Sequence, residues 1–343
     1  MTDIIKVDVT APETDKLSSA AEIIKNGGLV AFPTETVYGL GGNATDADAA
    51  KKIYAAKGRP SDNPLIIHIA SPEDAELYAH TNELYYKLAA AFMPGPLTVI
   101  LPKKDTVPDS VTGGLDSVAI RCPAHPIASK LIALAGVAIA APSANLSGSP
   151  SPTCAEHVIS DLSGRVDMII DGGSCEIGLE STIVKITEDS ALLLRPGAIT
   201  CDALSCICSH VEIAPAVTAH LAENERPLSP GMKYRHYAPS SPLVLLDGED
   251  SAVTKYMKNA LESEHCIVIC YDEELDALGT SSTISIGPRD DLAAQANALF
   301  SALRRSNDMS ADVIYAHLPT KDGLGLALYN RMIRAAAHTV KKI

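Results

Sequence analysis

Four cationic side chains, Lys51, Lys52, Lys57 and Arg59, fall within nine residues of a chain whose net charge is −14. Arginine suits bidentate contact with phosphate and lysine a point-charge contact, so a basic cluster in acidic surroundings fits a small anion such as a nucleotide. Lys51 and Lys52 lie inside DADAAKKIYAAKG, whose pattern makes them a solvated helix face. Lys57 and Arg59 open KGRPSDNPLIIHI (57–69), where Asn63 adds an amide and Pro60 and Pro64 stiffen the loop. His68 alternates with apolar neighbours on the strand that follows, so by pattern alone it reads more readily as a core histidine than as a ligand. In FPTETVYGLGGNA (32–44) a strand runs into Thr34, Glu35, Thr36 and a glycine pair. Hydroxyls and backbone N–H groups at such a strand end can hold a polar ligand, although an ordinary glycine turn looks the same. APSANLSGSPSPT (141–153) sets Ser143, Asn145, Ser147, Ser149 and Ser151 around Gly148 and Pro150, a composition that also occurs in plain linkers.

These segments need elements to hold them. At 343 residues the chain suits two domains, each able to bury a core. The first 200 residues alternate short β-branched runs with helical patterns, which predicts an α/β sheet in which not every link is a parallel crossover. LSSAAEIIKNGG (17–28) predicts a helix and LVAFPT (29–34) a strand, while Thr45 with Asp48 predicts a capped helix ending at Gly58. LIIHIA (65–70) predicts a strand and NELYYKLAAAF (82–92) a helix. Residues 215–242 keep no period and carry several prolines, which predicts a linker or arm. From 243 onward, strands alternate with helices at 290–305 and 324–340, as in a small doubly wound α/β domain. The predicted domains are thus 1–214, 215–242 and 243–343.

Composition narrows the function. Residues 1–214 carry 15 Lys and Arg against 26 Asp and Glu, so no basic face marks a nucleic-acid grip. No run of about 20 apolar residues spans a bilayer, and MTDIIKVDVTAPETD lacks an apolar leader core, which predicts a cytoplasmic location and no membrane partner. Cys201, Cys206, Cys208 and His210 lack the paired spacing of zinc sites and read as a structural or accidental cluster. No Walker loop, metalloprotease helix or nucleophile elbow occurs.

FPTETVYGLG, KGRPSDNPL, PGPLTVIL (94–101), VAIRCP, APSANLSG, ESTIV (180–184) and LLRPG (193–197) together resemble the threonylcarbamoyl-AMP synthase, or YrdC-like, family, in family order over about 200 residues. SPGMKYRHYAP (229–239) resembles the linker signature of its longer, two-domain form. The resemblance implies a YrdC-like twisted open α/β sheet with a concave substrate pocket, and a C-terminal Rossmann-like α/β domain. It implies a nucleotidyltransferase that joins L-threonine, bicarbonate or CO₂, and ATP carrying Mg²⁺, as the first step of tRNA threonylcarbamoyladenosine formation. The product would pass to a tRNA threonylcarbamoyl-transferase complex, with weak or no direct tRNA binding. Carried over residue by residue, the threonine side is Thr36, His68, Arg121, Ala141 and Ser181. The ATP side is Lys57, Arg59, Asn63, Ser117, Ser143, Asn145, Ser151 and Arg195, with Ser229, Lys233, His236 and Tyr237 from the arm acting as a lid. Catalysis would be positional, with Lys57 and Arg59 stabilising phosphate charge and no side-chain nucleophile. An RNA-binding module on the same sheet is the main rival, and a steep salt dependence of RNA affinity would reveal it. A carbamoyl-transfer module of the hydrogenase-maturation type is a second, but this sequence lacks that type's zinc-finger and acylphosphatase-like regions.

Overall fold

The computed structural model describes residues 1–219, 236–279 and 281–343, which fall into two compact units. The first takes in residues up to 219 except 148–150 and 177–179, and these short segments cluster with residues 236–343 in the second. Ser229, Lys233 and Arg235 of the expected arm lie outside the described residues. Among the described residues no helix is long and apolar enough to cross a membrane.

In chain order the strands of the first unit are β1 (Asp3–Lys6), β2 (Val30–Phe32), β3 (Gly39–Asn43), β4 (Ile66–His68), β5 (Leu97–Pro102), β6 (Ser117–Arg121), β7 (Ile139–Ala141), β8 (Met168–Asp171), β9 (Thr182–Ile186), β10 (Ser190–Arg195) and β11 (His210–Ile213). They form one sheet in the order β1-β8-β2-β3-β7-β4-β6-β5-β9-β10-β11. Pairing is mixed, as the sequence predicts: β4 with β6 and β5 with β9 run parallel, β4 with β7 and β5 with β6 antiparallel. Register sets chemistry here. His68 on β4 stands opposite Arg121 on β6, and Arg121 stands opposite Thr98 on β5. Directly opposed residues share a sheet face, so a histidine, a guanidinium and a hydroxyl line up across three strands.

Helices seal the sheet by amphipathic packing. Helix Thr14–Lys25 buries Leu17, Ala20, Ala21 and Ile24, the spacing of one helical face. Those residues join Val30, Phe32, Ile127, Leu131, Ile139 and Ile170 in one core, where a fully buried aliphatic side chain contributes about 1.5–3 kcal/mol. That helix starts three residues earlier than its pattern predicts. Helix Ala47–Lys57 is capped by Asp46, whose side chain accepts from the Asp48 N–H, and not by Thr45. The Thr45 hydroxyl and N–H instead meet the Asn43 side chain, which competes for them. Gly58 ends this helix with φ at +62°, a turn that costs a side-chain-bearing residue strain. It sends Lys57 and Arg59 off the helix end as expected.

The second unit has five strands, β12 (Leu243–Asp247), β13 (Cys266–Cys270), β14 (Thr283–Ser285), β15 (Val313–His317) and β16 (Val340–Lys342). All pair parallel, in the order β14-β13-β15-β12-β16, over a core that includes Leu246, Val253, Met257 and Val268. This is the α/β domain the alternation predicts. Its last helix is shorter than expected, Gly325–Ala335, because Ala337 and His338 take positive φ and turn the chain into β16.

Candidate active site

Arg121 and Glu35 form the centre of the predicted amino-acid side. Both are buried, 4% and 7% exposed, and Arg121 Nη2 lies 2.8 Å from Glu35 Oε1. The contact is charge to charge with poor hydrogen-bond alignment: neither Glu35 oxygen, and neither Nε nor Nη2 of Arg121, has a well-aligned partner, although the Arg121 side chain and the Glu35 and Ala124 N–H groups lie close enough to act on the carboxyl. Burial works to raise the Glu35 pKa, but the Arg121 charge, together with hydrogen bonding from the Arg121 side chain and the Glu35 and Ala124 N–H groups, outweighs it and holds the carboxyl below its usual range. Burial, and then the Arg121 charge, push His68 down to about 3, so its ring is neutral. Its Nδ1 donates to the Ile139 carbonyl at 3.3 Å, and its edge meets Phe32 at 6.2 Å between centroids. Gly41 permits that arrangement, since a Cβ there would stand 2.7 Å from the Phe32 ring.

The other predicted threonine residues lie on neighbouring strand ends. Thr36 is fully buried, its hydroxyl 2.9 Å from that of Thr34. Ala141 pairs with Ile66, two residues before His68 and on the same face. Ser181 enters the row through Thr98, 2.7 Å between hydroxyl oxygens. Arg195 then donates from Nε to the Ser181 carbonyl at 3.0 Å and from Nη2 to its hydroxyl at 3.1 Å. A serine predicted for the threonine side therefore touches an arginine predicted for the ATP side.

On the predicted nucleotide side, Lys57 Nζ donates to the Ser143 carbonyl at 2.5 Å, to the Asn145 carbonyl, and to Asn145 Oδ1 at 3.4 Å. Ser143 Oγ donates to the same Oδ1 at 2.5 Å, and the Ser147 N–H donates to the Lys57 carbonyl. Lys57 thus ties the serine-rich loop to the helix end, a structural duty the sequence did not disclose. Arg59 bends back onto its own loop, donating from Nε to the Asn63 carbonyl at 3.4 Å and from Nη2 to the Pro64 carbonyl at 3.2 Å. Asn63 is buried, with Oδ1 lacking a hydrogen bond. Ser151 donates to Glu180 Oε1 at 2.6 Å, and Ser117 starts β6 on the face that carries Arg121. Of the arm, His236 and Tyr237 are described in the second unit. Tyr237 is buried there and stacks on Phe300 at 5.1 Å, with φ at +60°.

Sequence reasoning left Glu35, Thr98, His125 and Glu180 without roles. Each lies within or next to a recognised motif, but only a partner distant in sequence shows its function: Arg121 for Glu35, Ser181 for Thr98. His125 is buried with Nδ1 unpartnered, and burial lowers its pKa against the pull of Glu35. A separate cleft of about 190 Å³, lined by Leu77, Tyr78, Ile132 and Val137, contains none of the predicted residues.

The second unit holds another buried cluster, at the carboxyl ends of its strands. His317 Nε2 lies 2.9 and 3.0 Å from the Glu274 oxygens, which also accept from the Thr254 hydroxyl and the Tyr271 N–H. Arg289 donates to Asp250 at 2.5 Å and lies over the Tyr271 ring, which itself packs on His317 at 4.7 Å. Burial works to raise the Glu274 pKa, but these hydrogen bonds, the His317 one foremost, hold it below its usual value.

Comparison with known proteins adds two matches that together span most of the chain. Residues 22–197 match a family model described as "Telomere recombination", and residues 199–337 match one described as threonylcarbamoyl-AMP synthase, C-terminal domain. The chain is 44% identical to the threonylcarbamoyl-AMP synthase of Pyrococcus abyssi over the whole of both chains. It is 43% identical to that of Bacillus subtilis over 97% of each. A crystal structure of P. abyssi Sua5 complexed with L-threonine matches with a TM-score of 0.92, covering all of both chains.

Proposed function

The chain belongs to the threonylcarbamoyl-AMP synthase family, and we propose that it forms threonylcarbamoyl-AMP and pyrophosphate from L-threonine, bicarbonate or CO₂, and ATP. The observation that carries the reading is the polar row His68–Arg121–Thr98, joined through Ser181 to Arg195. It offers a cation for an amino-acid carboxylate beside hydroxyls able to read a side-chain hydroxyl. A site built to pair that hydroxyl rejects an analogue lacking it, because a buried polar group is then left unpaired. Thr36, Ala141 and Ser181 complete the threonine side.

ATP is assigned to the loop that Lys57 fastens, with Arg59, Asn63, Ser117, Ser143, Asn145, Ser151 and Arg195 around it. Mg²⁺ arrives on the triphosphate as part of the substrate. The threonine amine adds to CO₂, losing its proton, and the resulting N-carboxylate oxygen attacks the α-phosphorus. The bond from that phosphorus to the bridging oxygen breaks and pyrophosphate leaves. Alignment and charge stabilisation account for most of such a displacement, so no nucleophilic side chain is required. The product, a mixed anhydride, is an activated threonylcarbamoyl donor suited to a tRNA-modifying transferase.

Incubating the purified chain with ATP, ¹³C-bicarbonate and L-threonine should give threonylcarbamoyl-AMP one mass unit heavier than with unlabelled bicarbonate. Replacing L-threonine with L-valine, close in shape but without the hydroxyl, should nearly abolish pyrophosphate release. Equal rates with the two amino acids would remove the threonine pocket from these residues.

A further inference from the structure

We propose that Glu35 binds the α-ammonium of the amino-acid substrate while Arg121 binds its α-carboxylate, so that the buried pair reads the substrate as a zwitterion. The inference rests on the reading of this site as an L-threonine pocket and adds to it a residue and a chemical role.

The argument starts from unused bonding capacity. A buried ionised carboxylate and guanidinium normally satisfy their lone pairs and protons, because an unmade buried hydrogen bond costs about 1–3 kcal/mol. Glu35 and Arg121 approach to 2.8 Å, yet both carboxylate oxygens and two guanidinium nitrogens lack a well-aligned partner; the carboxyl has only looser contacts with the Arg121 side chain and the Glu35 and Ala124 N–H groups. The buried carboxylate of the second unit looks different: Glu274 receives hydrogen bonds from His317, Thr254 and the Tyr271 backbone. The open valences at Glu35 and Arg121 are acceptors beside donors. An amino acid presents the complement, ammonium donors and carboxylate acceptors held one carbon apart.

The surroundings keep the match simple. His68 and His125 are held neutral by burial, and burial pushes the Cys175 thiol up to about 12. The pair therefore supplies one negative and one positive charge among neutral titratable neighbours, which is the charge pattern of a zwitterion. Its position agrees, since Glu35 stands beside Thr36 in the β2–β3 connection and Arg121 in the polar strand row.

The test compares L-threonine with its 2-hydroxy analogue, 2,3-dihydroxybutanoate of matching configuration, by calorimetric titration of the full chain. The wild type should prefer L-threonine by about 100-fold or more, as expected when a charged group loses its buried partner. In Glu35→Gln that preference should fall below tenfold, through weaker threonine binding. A Glu35→Gln chain that keeps the full preference, or a wild type that binds both ligands alike, overturns the proposal. A wild type that binds neither and makes no threonylcarbamoyl-AMP overturns the threonine reading itself, a separable failure. Should Glu35→Gln not fold, a crystal structure of the wild type with L-threonine decides the matter. The ammonium nitrogen should lie within about 3.2 Å of a Glu35 oxygen; an ammonium bonded elsewhere refutes the assignment.

Discussion

Around Glu35 in the first unit and around Glu274 in the second, the chain buries a carboxylate and a histidine and sets an arginine against them. The Glu274 carboxylate is closed, although Nε of the neighbouring Arg289 has no aligned partner. The carboxylate is hydrogen-bonded on both oxygens, and it stands at carboxyl strand ends, where strand order reverses and open α/β sheets commonly bind ligands. The crevice is occupied by the protein's own side chains. The Glu35 cluster has the same ingredients but leaves both carboxylate oxygens and two guanidinium nitrogens without aligned partners. Composition alone does not separate the two clusters; the hydrogen-bond satisfaction of the carboxylate does.

The comparison breaks most visibly under truncation. Glu274→Ala should lower the unfolding free energy of the full chain by about 3–5 kcal/mol, the usual effect of stranding one member of a buried ionic network. Threonine affinity should stay within about twofold, since distant independent sites add. Urea denaturation and calorimetry measure the two, and a large affinity change with unaltered stability would make the second cluster a site after all. The open cluster should respond to ligand instead. L-threonine at 100 times its Kd should stabilise the wild-type chain by about 2.7 kcal/mol, and Arg121→Ala should show almost none of that gain at the same concentration.

The smallest effect is a pH slope that belongs to the first cluster. His68 is depressed from 6.5 to about 3, so below its ordinary value the unfolded chain takes up a proton that the folded ring refuses. Stability therefore falls as pH drops from about 6.5 towards 3, by under about 1 kcal/mol between pH 7 and 6. Glu35 acts with the same sign in a lower window. Its contribution is present above the ordinary carboxylate range and is lost only as pH falls through its lowered folded value. Between pH 7 and 6 Glu35 does not titrate, and the lowered His125 acts in the same sense as His68, so His68→Gln should reduce the slope without abolishing it; an unchanged slope would place the responsible group elsewhere.

What the sequence disclosed follows from range. The strand at Ile66–His68, the helix closed by Gly58 and the alternation of the second unit all rest on local period and turn chemistry, and all are present. Local competition defeated the finer readings. Asp46 took the cap expected of Thr45 because Asn43 held the threonine, and the last helix stopped at Ala335 through two positive-φ residues that are not glycine. The motifs located the candidate site, but the duties of Lys57 and Glu35 depend on Asn145 and Arg121, partners nearly ninety residues away.

A programme of stabilising substitutions would be drawn to positions 35 and 121. Replacing both partners of an unsatisfied buried ion pair with apolar residues of similar volume is commonly neutral or favourable for the unliganded chain. A score computed on that chain alone, or a selection for heat resistance, would therefore reward erasing the pair and see nothing lost. On the proposed reading of the pair, its presence is a trade of robustness for readiness. The two positions belong on the protected list of any redesign that intends to keep the enzyme working.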